Sequence, residues 1–285
     1  MKNLKYYLSR AQKEKFAIGS FNFSDWSQVK GIVAAAQNLK SPIILSTSEG
    51  ESRFVGLQEA VAMRDVLRKK TGLPIFLNLD HGKSFEYLKE AITAGYDMVH
   101  FDGSKLPLEE NIRISKEVTK YASWRGVLVE GEVGKISTDA SRVYAEKFEI
   151  KEEDLTLPED AKVYAKKTGV DVLAVSVGTF HGVDGEVMSP NVKLDRLEAI
   201  KNAVSIPLVL HGGSGTPEQD VKRAIGLGIV KININTDIRV AFAKSLKMEL
   251  GKDEVTPYKY LPEAIEAVRV VTEKNMKLFG SEGKV

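Results

Sequence analysis

Eight short apolar runs alternate with stretches of helical spacing along this chain, and that rhythm restricts its fold more than any other feature. The runs occupy residues 16–23 (FAIGSFNF), 42–48 (PIILSTS), 74–81 (PIFLNLDH), 97–104 (DMVHFDGS), 126–134 (GVLVEGEVG), 171–182 (DVLAVSVGTFHG), 206–213 (IPLVLHGG) and 229–236 (IVKININT). Segments such as VLAVSV and IPLVL are apolar at nearly every position, as parallel strands covered on both faces require. Gly72, Gly95, Gly169 and Gly228 close helical stretches, and Pro42, Pro74 and Pro207 open strands. Eight strand–helix units in roughly 250 residues predict an α/β fold, a (β/α)8 TIM barrel, in a single domain over 1–285. The alternative, a doubly wound open sheet, needs only about five or six strands and a GxGxxG after the first, which is missing here.

Two segments stand outside the repeat. Residues 135–158 form a long, highly charged stretch, the length at which loops are functional lids or disordered. Residues 261–280 have helical spacing and predict an extra C-terminal helix that caps the barrel base or packs on a second subunit.

Composition narrows the function. Lys and Arg number 41 against 39 Asp and Glu, a net charge of +2, too close to balance for a non-specific nucleic-acid binder. There is no Cys, so thiolate nucleophiles, Cys-based zinc sites and disulfides are excluded together, in keeping with a reducing compartment. No apolar run approaches a membrane span and the N-terminus lacks a signal-peptide core, so a cytoplasmic location with no membrane partner is expected.

The chain has four His, and all end predicted strands: His81 in LNLDHG, His100 in DMVHFDG, His181 in VGTFHG and His211 in VLHGG. Each alone could be a satisfied core histidine. In a parallel barrel, however, the C-terminal strand ends converge on one mouth, where active sites of this fold are built. Neutral imidazole is the commonest ligand for a borderline cation, so His81, His181 and His211 are read as a catalytic three-His metal site with an open position, zinc first. His100 is read as structural, pointing to the other face of the barrel wall. Asp80, directly before His81, is placed for proton transfer or for orienting a ligand. Asp102, Glu130 and Glu132 are further carboxylates at strand ends, and Glu132 is the one carried forward as a site candidate.

Gly212, Gly213, Ser214 and Gly215 precede a helix that starts near Pro217, a combination of free N–H groups and helix N-terminus that suits an anion. Asn233, Asn235 and Thr236 lie at the neighbouring strand end, so both loops occupy the usual phosphate position of this fold. Cation, phosphate and carboxylate together suit a phosphorylated carbonyl substrate whose enediolate the metal stabilises, and retro-aldol cleavage makes that demand. The Schiff-base route needs a Lys at a strand's C-terminal end, and Lys231 stands near the start of its strand.

The set LNLDHGKSFE, VEGEVG, GTFHG, LVLHGGSG and KININT resembles the class II, metal-dependent fructose-bisphosphate and tagatose-bisphosphate aldolases over nearly the whole chain. The resemblance implies Asp80 as the proton donor and His81, His181 and His211 as zinc ligands. It further implies that Gly182, Gly212, Gly213, Ser214, Asn233, Ile234, Asn235 and Thr236 bind the dihydroxyacetone phosphate half of the substrate, with Asn22 and Ser48 also facing it. Asp102 and Glu132 match positions where some members hold a second, divalent or monovalent, cation. A homodimer or homotetramer is implied as well. Two departures stand out: the loop after the fifth strand is not the usual Gly-rich acidic one, and GVDGEVMSP follows His181 where a phosphate-binding Lys is usual. The expected reaction is reversible cleavage of a ketose 1,6-bisphosphate, fructose 1,6-bisphosphate first, to dihydroxyacetone phosphate and glyceraldehyde 3-phosphate. The alternatives are an aldolase for tagatose 1,6-bisphosphate or another phosphorylated ketose, an isomerase or epimerase of the same chemistry, and a non-catalytic sugar-phosphate-binding barrel.

Overall fold

A computed structural model describes residues 2–136, 150–180 and 191–285. The strands β1 (Ile18–Asn22), β2 (Ile43–Ser48), β3 (Ile75–Gly82), β4 (Met98–Phe101), β5 (Leu128–Val133), β6 (Val172–Val175), β7 (Leu208–Leu210) and β8 (Ile229–Ile234) close into a barrel in sequence order. Every neighbouring pair is parallel, including β1 with β8. The structure is therefore the expected TIM barrel.

The helices are α1 (Leu4–Glu14), α2 (Trp26–Leu39), α3 (Glu49–Val55), α4 (Leu57–Thr71), α5 (Phe85–Ala94), α6 (Leu108–Ser123), α7 (Pro158–Thr168), α8 (Leu194–Ala203), α9 (Glu218–Gly226), α10 (Thr236–Leu250) and α11 (Pro257–Leu278). The single helical stretch expected after β2 is split into α3 and α4 at Gly56, whose φ of 91° no β-carbon-bearing residue adopts without strain. Both α1 and α10 lie outside the predicted elements. The C-terminal helix is present, begins one turn earlier than its periodicity suggests, and packs against α2 and α10.

Side-chain alternation along the strands explains the core. Ile18, Ile44, Phe76, Met98, Leu128, Val172 and Val209 point into the barrel at one level and form an apolar floor that α1 covers with Leu4, Tyr7, Leu8 and Ala11. Two residues further along every one of these strands but β6, which has Ala174, stand Ser20, Ser46, Asn78, His100, Glu130 and His211, all buried and all polar. The interior thus changes from hydrocarbon to polar groups between its N-terminal floor and its C-terminal mouth. A separate, larger cluster, with Val99, Phe101, Leu173 and Ile232 on the strands' outer faces, binds the helices to the barrel.

Only the ends of the long charged segment at 135–158 fall among the described residues. They are tied together and to β6 by Lys135 N–H to the Asp154 carbonyl at 2.7 Å and Thr156 N–H to the Ser176 carbonyl at 2.9 Å.

Candidate active site

Two of the expected ligands meet at the mouth. His81 comes from the end of β3 and His211 from the residue after β7, and His81 Nε2 stands 3.1 Å from His211 Nδ1. The other nitrogen of each ring faces a carboxylate: His81 Nδ1 lies 3.0 Å from Asp102 Oδ2, and His211 Nε2 lies 2.6 Å from Glu130 Oε1. Each carboxylate fixes the proton on the nitrogen it faces, so in the neutral rings two lone pairs are turned toward each other. Such an arrangement is repulsive without a cation or a proton between the rings, and it is the pattern that carboxylates impose on metal-binding histidines. The donor set therefore fits a zinc-like ion. His181 and Gly182 lie outside the described residues.

Electrostatics set the two rings apart in the absence of an ion. Burial pushes the His211 imidazole pKa down, against the pull of Glu130, which favours the neutral ligand form. Burial also opposes charge on His81, but Asp80 and the bond to Asp102 outweigh it and raise its pKa. Asp80 is buried too, yet His81, His100, His211 and Lys231 hold it well below the usual carboxylate range.

Asp80 sits in a clamp of two amides. Its Oδ1 accepts from Asn233 Nδ2 at 2.8 Å and its Oδ2 from Asn22 Nδ2 at 3.2 Å. Asn22 also donates to Glu51 Oε2 at 2.9 Å, and Glu51 pairs with Arg239 at 2.6 Å. On the other side, Lys231 Nζ donates to Asn233 Oδ1 at 2.7 Å and to Glu130 Oε2 at 2.8 Å. One polar network thus runs from Arg239 through Asp80 to His211. Lys231, near the start of β8 as expected, is wholly buried in it.

The sequence reading of His100 is corrected. The residue shares the inward parity of Met98, while Val99 and Phe101 face the helices, so its ring lies inside the barrel, 4.7 Å from that of His81 and 4.8 Å from that of His211. Ligand atoms of Asp80, His81, His100 and His211 lie within 4.8 Å of one another, and those of His81, Asp102 and Glu132 form a second such group. Glu130 and Lys231 were not expected as site residues. Their signal was the period-two charge in VEGEV and the lone Lys in IVKINI, since a charge inside an otherwise apolar buried strand demands a partner.

The phosphate-loop candidates also converge. Gly212 has a φ of 66°, and a β-carbon there would strike the Phe180 backbone. Gly213 N–H reaches the Asn233 carbonyl at 3.3 Å, and Ser214 Oγ accepts from the Asp237 N–H at 3.3 Å in the first turn of α10. Asn235 precedes α10 with its Oδ1 buried and without a hydrogen-bond partner among the described residues, and Thr236 opens the helix, buried. The Ile234 side chain packs in the apolar core, and its backbone is paired with Phe21 of β1. Ser48 caps α3 in a reciprocal bond with Glu51, so its hydroxyl has a local task.

A TIM barrel whose mouth joins a histidine pair, an amide-clamped Asp and a Gly-rich turn between two helix starts has the makings of a metal-dependent sugar-phosphate lyase. The profile of the fructose-bisphosphate aldolase class-II family matches residues 2–284, and the chain belongs to that family, whose enzymes are lyases. It is 38% identical to the fructose-bisphosphate aldolase of Geobacillus stearothermophilus over 99% of this chain and 98% of the relative. It is 37% identical to the sulfofructosephosphate aldolase of Alkalicoccus urumqiensis over 98% and 96%. The crystal structure of the YdjI aldolase from Escherichia coli K12 superposes with a TM-score of 0.85 at 30% identity, covering 100% of this chain and 99% of that one. Among the described residues no helix is long and apolar enough to cross a membrane.

Proposed function

We propose that the chain is a zinc-dependent aldolase that cleaves a ketose 1,6-bisphosphate, fructose 1,6-bisphosphate first, to dihydroxyacetone phosphate and glyceraldehyde 3-phosphate. The observation that carries this reading is the 3.1 Å approach of His81 Nε2 to His211 Nδ1, each ring held by its own carboxylate, beside the buried Asp80. His81, His211 and, by its motif, His181 would hold the ion, with Asp102 and Glu132 available to a second cation. When bound, zinc would polarise the substrate carbonyl and take up the negative charge that builds as the C3–C4 bond breaks.

The chain's own residues do the rest. Asp80, kept ionised and aimed by Asn22 and Asn233, takes the proton of the C4 hydroxyl in cleavage and returns it in condensation. The turn at Gly212, Gly213 and Ser214 and the start of α10 at Asn235 and Thr236 offer backbone N–H groups to the phosphate of the dihydroxyacetone half. Incubation with fructose 1,6-bisphosphate should release triose phosphates. A rearranged sugar without C–C cleavage, or tight binding without turnover, would overturn the reading.

One observation favours a second substrate. The segment after His181 has no Lys before Lys193, so the distal end of the substrate is recognised differently from the usual pattern. Tagatose 1,6-bisphosphate or another phosphorylated ketose would keep the same reactive half, and a substrate series ranked by kcat/KM separates these. Self-association into a homodimer or homotetramer is part of the proposal and is supported by exposed Met248, Leu250, Val255 and Tyr258 where α10 meets α11. Sedimentation at micromolar concentration tests it.

A further inference from the structure

We infer that His100 is a positioning residue whose imidazole takes the place of a ladder carbonyl and thereby turns His81 into the barrel mouth. The inference rests on the metal reading above. Adjacent residues of a regular strand point to opposite faces of the sheet, so Asp80 and His81 cannot both serve the mouth from an unbroken β3. The break is visible in the pairing. β3 and β4 run in register at Asn78 with Met98 and Leu79 with Val99, and the next aligned pair is Gly82 with Phe101. Two residues of β3, Asp80 and His81, therefore oppose the single His100 of β4, which is a β-bulge.

Within the bulge, Asp80 keeps its place opposite Ser48 of β2, while His81 takes a φ of 52°, in the left-handed region where a side chain is strained. Such a conformation persists only where neighbours hold it. On the backbone side, the contact seen here is the His81 N–H, which donates to His100 Nδ1 at 3.1 Å. The ordinary ladder resumes directly afterwards, with Asp102 N–H on the Gly82 carbonyl at 3.0 Å. His100 is fully buried, so no solvent molecule from bulk replaces it as the acceptor. With Nδ1 as the acceptor, the proton of the neutral ring belongs on Nε2, which stands 3.1 Å from Glu132 Oε2 outside hydrogen-bond geometry, while Nδ1 also lies 3.6 Å from Asp80 Oδ1 and 4.0 Å from Glu130 Oε1. An apolar residue at position 100 would leave a buried N–H without an acceptor at the one residue whose backbone must stay reversed.

The test compares His100→Phe, which keeps a flat ring without an acceptor, with His100→Gln, which restores an amide oxygen. Metal affinity is measured by chelator competition, the ligand geometry by the visible spectrum of the cobalt-substituted protein, and kcat and KM separately at saturating metal. His100→Phe should weaken metal binding by about 10- to 100-fold, the range for partners that orient a ligand. It should also alter the cobalt spectrum and lower kcat more than it raises KM. His100→Gln should recover most of the affinity and the spectrum. Wild-type affinity, spectrum and kcat in His100→Phe would overturn the inference, as would a Gln variant no better than Phe.

Should His100→Phe fail to fold, nitrogen NMR of the wild-type protein decides the point. An unprotonated His100 Nδ1 coupled to the His81 amide is expected, and a protonated Nδ1 would overturn the inference. A wild-type protein that binds neither zinc nor cobalt would sink the metal reading, while the NMR result would still stand or fall by itself.

Discussion

At the scale of single residues, Asp80 is the group proposed to move the proton. Asp80→Asn keeps the size and an acceptor for Asn233 but cannot take a proton at working pH. Its kcat should fall by about 10²- to 10⁴-fold with zinc content unchanged, read by steady-state kinetics beside metal analysis. Loss of zinc together with activity would mean that Asp80 shapes the ligand site instead. Lys231 and Glu130 carry a different burden. Both are wholly buried and joined at 2.8 Å, so Lys231→Met leaves a charge without its partner and should cost about 3–5 kcal/mol in denaturant unfolding. The pH dependence has a definite sign. Burial pushes Glu130 up, yet Lys231, His100 and His211 outweigh it and hold its folded pKa well below the usual carboxylate range. Its contribution is therefore complete above the unfolded value of about 4.3 and is lost as pH falls toward the folded one. The acid limb of metal-free unfolding should lie below about pH 4.3, and Lys231→Met should move it upward.

At the scale of elements, the turn between β7 and α9 would couple two tasks, because Gly212 lies between His211, the proposed metal ligand, and the turn proposed to hold the phosphate. Gly212→Ala would add a β-carbon at a φ of 66° against the Phe180 backbone. Displacing the turn by about an ångström should lower kcat/KM by about 10²-fold, while a surface substitution such as Lys222→Ala leaves it unchanged. The place of this turn was legible in advance, since HGGSG after an apolar run and before PEQDVKRAI marks a strand end leading into a helix. The strands were legible for the same reason: buried parallel strands leave runs that are apolar on both faces. His100 was not, because local sequence does not show which face a residue at a strand end takes once a bulge shifts the register. Its inward parity follows from Met98, and that becomes visible only when the floor of the barrel is known. The α3–α4 break at Gly56 was missed because helical spacing continues across it, and only the backbone conformation marks the division.

At the scale of the whole molecule, the barrel divides its labour along its axis. Hydrocarbon at the floor, closed by α1, holds the strands in place, and the polar level above carries charges held by the network that joins Asp80, Lys231, Glu130 and His211. What most directly tests the central claim is the coupling of metal to cleavage in one preparation. The protein is stripped with EDTA, assayed on fructose 1,6-bisphosphate with triose-phosphate detection, and assayed again after stepwise return of zinc. The account predicts no cleavage in the stripped protein and recovery that saturates as the His81–His211 site fills, with no recovery in His211→Ala. Full cleavage in the stripped protein, or recovery in His211→Ala equal to wild type, would contradict it.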